Sequence, residues 1–74
     1  MNETKYRALL LRAKSMQLSN DRPNFWEGYI RGLRRAHYGD RYGTAENHRR
    51  WLTLGGDAAR EELSHGYKEG LAGR

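Results

Sequence analysis

The 74-residue sequence contains no cysteine and a single proline. Without cysteine the chain forms neither disulfides nor a thiolate metal site, and this composition favours a cytoplasmic protein. Long apolar runs are also missing, because the longest, Ala8 to Leu11, has four residues. A membrane-spanning helix needs about 18 apolar residues or more, and basic residues continue through the N-terminus, where a signal peptide would be apolar. We therefore expect no membrane partner.

Alternation of apolar and polar residues, which is typical of a half-buried β-strand, does not extend over any useful length. The sequence therefore predicts an all-α fold. A chain of 74 residues forms one small domain. Its core is expected to be thin, because a domain of about 60 residues buries only about 60% of the surface of its unfolded chain.

Acidic residues are outnumbered, with 9 Asp and Glu against 14 Lys and Arg and a net charge of +5. Residues 22–50 carry seven basic and three acidic groups, so the middle of the chain holds most of the excess. Such a surface attracts nucleic acid, anionic membrane or an acidic protein. The alternative is a solvated basic surface that serves only solubility.

One short phrase occurs twice. Gly-Tyr-Ile-Arg-Gly-Leu at residues 28–33 returns 38 residues later as Gly-Tyr-Lys-Glu-Gly-Leu at residues 66–71. Both copies lie in helical segments, where each glycine costs about 1 kcal/mol against alanine. Four glycines then cost about 4 kcal/mol, out of a total stability of roughly 5–15 kcal/mol. Close approach of another backbone would offset this cost. We therefore predict that the two helices pack together through Gly28, Gly32, Gly66 and Gly70.

Apolar periodicity divides the chain into three or four helices. The predicted segments are an N-terminal helix within residues 1–20, paired glycine-containing helices at 23–38 and 57–72, and a short connecting helix at 45–54. Large apolar residues on the inner faces of these helices are expected to fill the core. They are Trp26, Tyr29, Leu33, Trp51, Leu52, Leu63, Tyr67 and Leu71.

Turn and cap residues mark the ends of these segments. Residues 19–23 form the first break, and Pro23 suits the first position of a helix. Three residues with short polar side chains are suitable N-caps. They are Asn2, Thr44 and Asp57. Gly39 is expected to end its helix in a left-handed conformation.

No arrangement of side chains predicts catalysis, a cofactor or a metal site. His37, His48 and His65 fall on different helices and not at the i, i+4 spacing of metal ligands. The acidic residues fall at helix starts or exposed positions, and the serines lack the strand–turn–helix context of a nucleophile. A domain this small also rarely encloses a pocket of about 300 Å³ or more. We therefore expect a protein that is not an enzyme.

The strongest functional signal is a cluster of arginines and tyrosines between residues 31 and 50. Arginine contacts phosphates, and an exposed tyrosine stacks on unpaired bases. The candidate binding residues are Arg31, Arg34, Arg35, Tyr38, Arg41, Tyr42, Arg49 and Arg50. Because no long basic recognition helix is present, we expect structured RNA or a phosphate backbone as the target. In the alternative interpretation the tyrosines fold the turn and the arginine stems cover apolar surface.

A second pattern lies within residues 26–56. It consists of Gly28-Tyr29, Gly32, Arg50-Trp51-Leu52 and Gly55-Gly56. This pattern resembles the bacterial ribosome modulation factor family, whose members are very small, basic, helical proteins that bind ribosomes and promote their dormant, dimeric state. The resemblance implies a helical fold and a ribosomal partner. The chain departs from the family in its N-terminal helix, its second glycine phrase and the lack of Cys-Pro in the connector.

Two other functions remain as alternatives to RNA or ribonucleoprotein binding. The first is a small inhibitor, of the kind encoded by phages and mobile elements, that binds and blocks a host protein or defence complex. Arginine, tryptophan and tyrosine suit an acidic protein surface, because these residues dominate binding hot spots. The second is self-assembly, in which the N-terminal helix pairs with a copy of itself because a thin core leaves apolar surface uncovered.

Overall fold

The computed structural model describes residues 1–19 and 22–74. These residues contain helices and connecting turns but no strand, so the predicted all-α fold is confirmed. The helices are α1 (Glu3–Ser19), α2 (Pro23–Tyr38), α3 (Ala45–Leu52) and α4 (Ala58–Ala72), with a 3₁₀ helix at Gly39–Arg41. The centre of the predicted first break, residues 20–21, lies outside the described residues. No helix in the described part of the chain is long and apolar enough to cross a membrane.

The start of each α-helix follows the local chemistry of the sequence. Asn2, Thr44 and Asp57 each accept a hydrogen bond from the backbone N–H three residues later, at 2.8, 3.0 and 2.8 Å. These side chains satisfy donors that the first turn of a helix leaves without a partner. Pro23 is the first residue of α2, where its missing N–H costs nothing.

Gly39 ends α2 with a positive φ of 65°, but its ψ of −139° lies outside the left-handed helical region. The predicted left-handed cap is therefore wrong. The chain turns directly into the 3₁₀ helix, in which the Tyr42 N–H donates to the Gly39 carbonyl oxygen at 3.0 Å. The tight connector between α2 and α3 is thus a further short helical turn.

The main packing contact of the fold joins α2 to α4 through the predicted glycines. A methyl group at Gly28 would collide with the Leu63 carbonyl oxygen and lie 2.9 Å from its carbonyl carbon. A methyl group at Gly66 would collide in the same way with the Phe25 carbonyl group. The missing side chains let the two backbones touch, so the predicted pairing of these helices is confirmed.

The same contact repeats one turn further along both helices. Gly32 faces the Tyr67 carbonyl group, and Gly70 faces the Tyr29 carbonyl group. Adding 38 to Gly32 gives Gly70, and subtracting 38 from Tyr67 gives Tyr29, so the two contacts are equivalent. Residues correspond in this way across the interface of a symmetric dimer. Because contacts advance in the same direction on both helices, α2 and α4 run parallel. The segment from Gly39 to Asp57, which includes α3, returns the chain to the start of α4.

The buried apolar core lies around α2 and includes residues from α1 and α4. It consists of Tyr6, Ala13, Phe25, Trp26, Tyr29, Ile30, Leu33 and Tyr67. On the other side of α2 from the glycine contact, α1 packs with the Tyr6 ring stacked on His37 at a centroid distance of 3.9 Å. The Nε2–H of His37 lies 2.9 Å from Glu3 Oε2, which fastens the start of α1 to the end of α2.

Four of the predicted core residues are only half-buried: Trp51, Leu52, Leu63 and Leu71. The prediction is wrong for these four because the molecule is flat. Its Cα atoms extend 35 × 31 × 15 Å, and within the described residues α3 packs mainly against α4. No other α-helix in the described part of the chain makes a comparable contact with α3, so its inner face is covered only in part.

Candidate nucleic-acid interface

Arg35 belongs to the predicted binding cluster but lies largely inside the fold. Its side chain is 12% exposed and ion-paired with Asp40 at 3.0 Å. The second guanidinium nitrogen donates to the Tyr42 carbonyl oxygen at 3.1 Å. These bonds hold the connector against the end of α2, because a charged donor makes stronger hydrogen bonds than a neutral one. A binding role for Arg35 stays a prediction, and its observed contacts are structural.

Arg34 is also engaged by neighbouring side chains. Burial by itself lowers the pKa of this guanidinium, but hydrogen bonds and charge interactions with Tyr42 and Tyr6 outweigh the burial and raise the pKa. Arg34 therefore stays charged and links α1, α2 and the connector. The half-buried Tyr42 is held between the two arginines, which matches the interpretation that it folds the turn.

Tyr38 is 49% exposed at the end of α2. Its ring meets Tyr6 edge to face at 5.8 Å and His37 at 4.8 Å. Tyr38 therefore lies beside the start of α1 and does not line the grooves that surround α3. Its predicted stacking role is not tested by this placement.

Besides Arg31, three arginines of the cluster face solvent, and these are Arg41, Arg49 and Arg50. Within residues 1–19 and 22–74 none of their guanidinium groups has a hydrogen bond or an ion pair. Arg49 and Arg50 occupy the last turn of α3, where a cation interacts favourably with the helix dipole. Their charges are available to a partner.

Arg31 connects the arginine cluster to an aromatic residue. Its guanidinium carbon lies 4.7 Å from the centroid of Trp51, and its Nε lies 3.3 Å from Glu27 Oε1. The Arg31 side chain is 44% exposed. A guanidinium over an indole ring is a favourable cation–π arrangement, and it places a charge beside a flat aromatic surface.

A groove of about 130 Å³ opens beside this pair. Its lining residues are Arg31, Tyr42, Gly43, Asn47, His48, Trp51 and Tyr67. The Tyr67 hydroxyl lies 2.6 Å from His48 Nδ1. Burial raises the pKa of Tyr67, so this hydroxyl remains protonated near neutral pH. The groove therefore offers hydrogen-bonding groups next to the Arg31 cation.

A second groove of about 380 Å³ lies on the other side of Trp51, between α3 and α4. It is lined by Asn47, Arg50, Trp51, Leu54, Arg60 and Leu63. Three of these side chains are apolar and two are cationic. Arg60 is 62% exposed and lies 3.8 Å from Asp57. A half-buried aromatic ring beside two exposed arginines suits a flat ring that carries a negative group.

Trp51 and Arg60 are the parts of this interface that the sequence prediction missed. Trp51 was placed in the core, and Arg60 was outside the central charge cluster. The available signal was the position of Trp51, directly after two arginines in a helix of only eight residues. So short a helix in a thin domain leaves part of a large ring exposed, and Trp51 is only half-buried.

The described part of the chain contains no group of histidine or acidic side chains that could hold a metal ion. Comparison of the sequence and the fold with family models, curated proteins and solved structures gives no match. The arrangement of side chains around Trp51 is therefore the main indication of function.

Proposed function

We propose that this protein is a non-catalytic binding protein that engages RNA or a ribonucleoprotein, such as the ribosome, through the surface around α3. The observation that supports this proposal is the position of Trp51 between two grooves that both contain arginine. Proteins that bind single-stranded nucleic acid combine such cations with aromatic rings on which bases stack.

The chemistry of the larger groove suits one nucleotide. A base packed against Trp51 replaces water on a half-buried aromatic surface, and Arg50 and Arg60 lie at the rim, where a phosphate would be neutralised. Arg41 and Arg49 are exposed and add to the positive charge of the arginine cluster. Unpaired bases in loops and bulges of structured RNA are accessible to such a site, whereas bases within an A-form helix are not.

Salt dependence of RNA affinity tests the electrostatic part of this proposal. Fluorescence anisotropy with a labelled RNA hairpin should show affinity falling by roughly 0.7 log units per log unit of salt for each phosphate neutralised on a single strand. Arg50→Gln and Arg60→Gln should each lower the affinity and the salt slope. Lys68→Gln removes the same charge from an exposed position on α4 and serves as the matched control.

Trp51→Leu tests the stacking part separately. This change should weaken binding by about 1–3 kcal/mol while leaving the salt slope unchanged. Affinity that does not respond to salt would contradict the proposal. Equal losses in Arg50→Gln and Lys68→Gln would also contradict it, because they would show attraction to net charge without a defined surface.

A further inference from the structure

Helix α1 is apolar on two opposite sides. One side carries Tyr6 and Ala13, which are buried against α2. The other side carries Leu11 and Leu18, whose exposed fractions are 72% and 91%. Single exposed leucines are ordinary, but two leucines that are seven residues apart lie on one line along a helix.

The exposed leucines belong to a regular seam along the outer side of α1. The seam residues are Thr4, Ala8, Leu11, Ser15 and Leu18, and all five are exposed. Their spacings of 4, 3, 4 and 3 residues are those of the contact positions in a coiled coil. Tyr6 and Ala13 fall at the heptad position farthest from this seam, which agrees with their burial against α2. The small residues Ala8 and Ser15 of the seam allow a second helix to approach closely.

Basic residues flank the seam on both sides. Lys5 and Arg12 lie along one edge, and Arg7 and Lys14 lie along the other. These are the heptad positions whose charges set the choice of partner in a coiled coil. The acidic residue described on α1, Glu3, pairs with Arg7 at 2.9 Å and with His37 at 2.9 Å. The edges of the seam therefore present an almost uniformly positive rim.

This rim disfavours a second copy of the chain. In a parallel pair Arg7 would face Arg12 of the copy, and in an antiparallel pair Arg7 would face Lys14, so like charges meet in either direction. A membrane surface is also a poor match. Helices that insert into lipid headgroups present a broad apolar face with Trp, Phe and Leu, whereas the α1 seam has two leucines separated by small and polar residues.

We propose that the outer face of α1 is a docking site for an acidic amphipathic helix of another protein, with leucines at its own contact positions and Glu or Asp beside them. The charge complementarity of the rim selects this partner. This surface is formed by α1 residues and is separate from the α3 grooves that are proposed to bind RNA. The docking proposal therefore does not depend on RNA binding. A partner helix held in a folded domain suits it best, since the seam spans only about two heptads and an independent coiled coil needs at least about three.

The test uses the full chain and a synthetic peptide of about three heptads with Leu at the contact positions and Glu at the flanking ones. A second peptide carries Lys in place of Glu. The glutamates prevent the first peptide from pairing with itself, so anisotropy reports binding to the protein. We expect a Kd on the order of 10–100 μM for the acidic peptide, and at least about tenfold weaker binding of the basic one.

Variants separate the seam from general electrostatics. Replacing both leucines (Leu11→Ser with Leu18→Ser) should weaken binding of the acidic peptide at least about tenfold and leave RNA affinity unchanged. Replacing Arg7→Glu with Lys14→Glu should abolish the preference for the acidic peptide, because Lys5 and Arg12 keep the opposite edge positive while this edge becomes negative. Lys68→Gln should change neither peptide's affinity.

Several results would overturn the proposal. Equal binding of the acidic peptide to the wild type and to the leucine variant would show attraction by charge alone. Self-association that the leucine variant abolishes would assign the seam to a second copy. Tighter binding to vesicles of anionic lipid than to the acidic peptide, lost in the same variant, would assign it to a membrane surface.

Discussion

Tyr29 and Tyr67 occupy equivalent positions in the two glycine phrases, and each presents its backbone carbonyl group to a glycine of the opposite helix. Both side chains are buried, with exposed fractions of 2% and 3%. Their hydroxyl groups differ. The Tyr67 hydroxyl lies 2.6 Å from His48 Nδ1, whereas the Tyr29 hydroxyl has no hydrogen-bond partner in the described part of the chain. The Tyr29 hydroxyl of the first phrase therefore lies in the hydrophobic core, whereas Tyr67 of the second phrase lines a groove.

The charged pairs beside the phrases are also different. In the first copy Glu27 pairs with Arg31 at 3.3 Å, and in the second His65 and Glu69 lie 3.9 Å apart at the equivalent positions. The acidic residue is the first member of the pair in the first copy and the second member in the second copy. The backbone contact at the glycines does not constrain the side chains that point away from the α2–α4 interface. The shared interface sets the parallel arrangement of α2 and α4, and the flanking residues are free to give one side a cationic surface.

The glycine interface gives the largest expected effect. Alanine ordinarily stabilises a helix by about 1 kcal/mol over glycine, but at Gly32 or Gly70 its methyl group would collide with a carbonyl oxygen. We expect each variant to lose about 1–3 kcal/mol in the free energy of unfolding, measured by urea denaturation. The two losses should agree within about 0.5 kcal/mol, because the sites are equivalent.

Gly55→Ala is the matched control for these variants. Gly55 lies in a turn with a negative φ, and the nearest atom to an added methyl group is the Thr53 carbonyl oxygen at 4.0 Å. Its substitution should change stability by no more than about 0.5 kcal/mol. A gain in stability in Gly32→Ala or Gly70→Ala would show that the helices do not touch at these positions.

The tyrosine hydroxyls give the next largest difference. Tyr67→Phe removes the hydrogen bond to His48 and should cost about 1 kcal/mol. Tyr29→Phe removes a buried hydroxyl without a partner in the described residues, so it should be neutral or stabilising. Thermal unfolding of the two variants side by side measures the contrast. Equal losses would mean that Tyr29 has a partner, such as a bound water.

The local parts of this fold could be predicted from the sequence because each rests on a few neighbouring residues. The N-caps and the glycine contact between α2 and α4 are of this kind. The exposure of Trp51 and the internal bonds of Arg35 were not predictable in the same way. The exposure of Trp51 depends on which helix faces the flat molecule leaves uncovered. The bonds of Arg35 depend on the path of the connector between α2 and α3. The candidate site therefore keeps only part of the predicted arginine cluster, and gains Trp51 and Arg60.

Alkaline pH should destabilise the folded protein through both Tyr29 and Tyr67. Burial raises the pKa of Tyr29 and of Tyr67 above the ordinary value of 10.0. The unfolded chain then releases these protons at lower pH than the folded chain, so the free energy of unfolding falls as pH rises past about 10. Below that pH the contribution is fully present. Urea denaturation at about pH 9 and about pH 11 should show a smaller loss in each Phe variant than in the wild type.

Substitutions in the pairs Glu27–Arg31 and His65–Glu69 give the smallest expected effect on stability. They distinguish the packing of α2 against α4 from the binding of RNA. Glu69→Gln removes a half-buried carboxylate whose partners, His65 and Arg74, are exposed to solvent, so it should change the free energy of unfolding by no more than about 0.5 kcal/mol. Arg31→Gln also loses the contact with Trp51 and should cost up to about 1 kcal/mol. RNA affinity should fall only in Arg31→Gln, with the salt slope reduced by about 0.7 if Arg31 neutralises one phosphate. An equal decrease in both variants would assign the loss to the packing of α2 against α4, which both copies share.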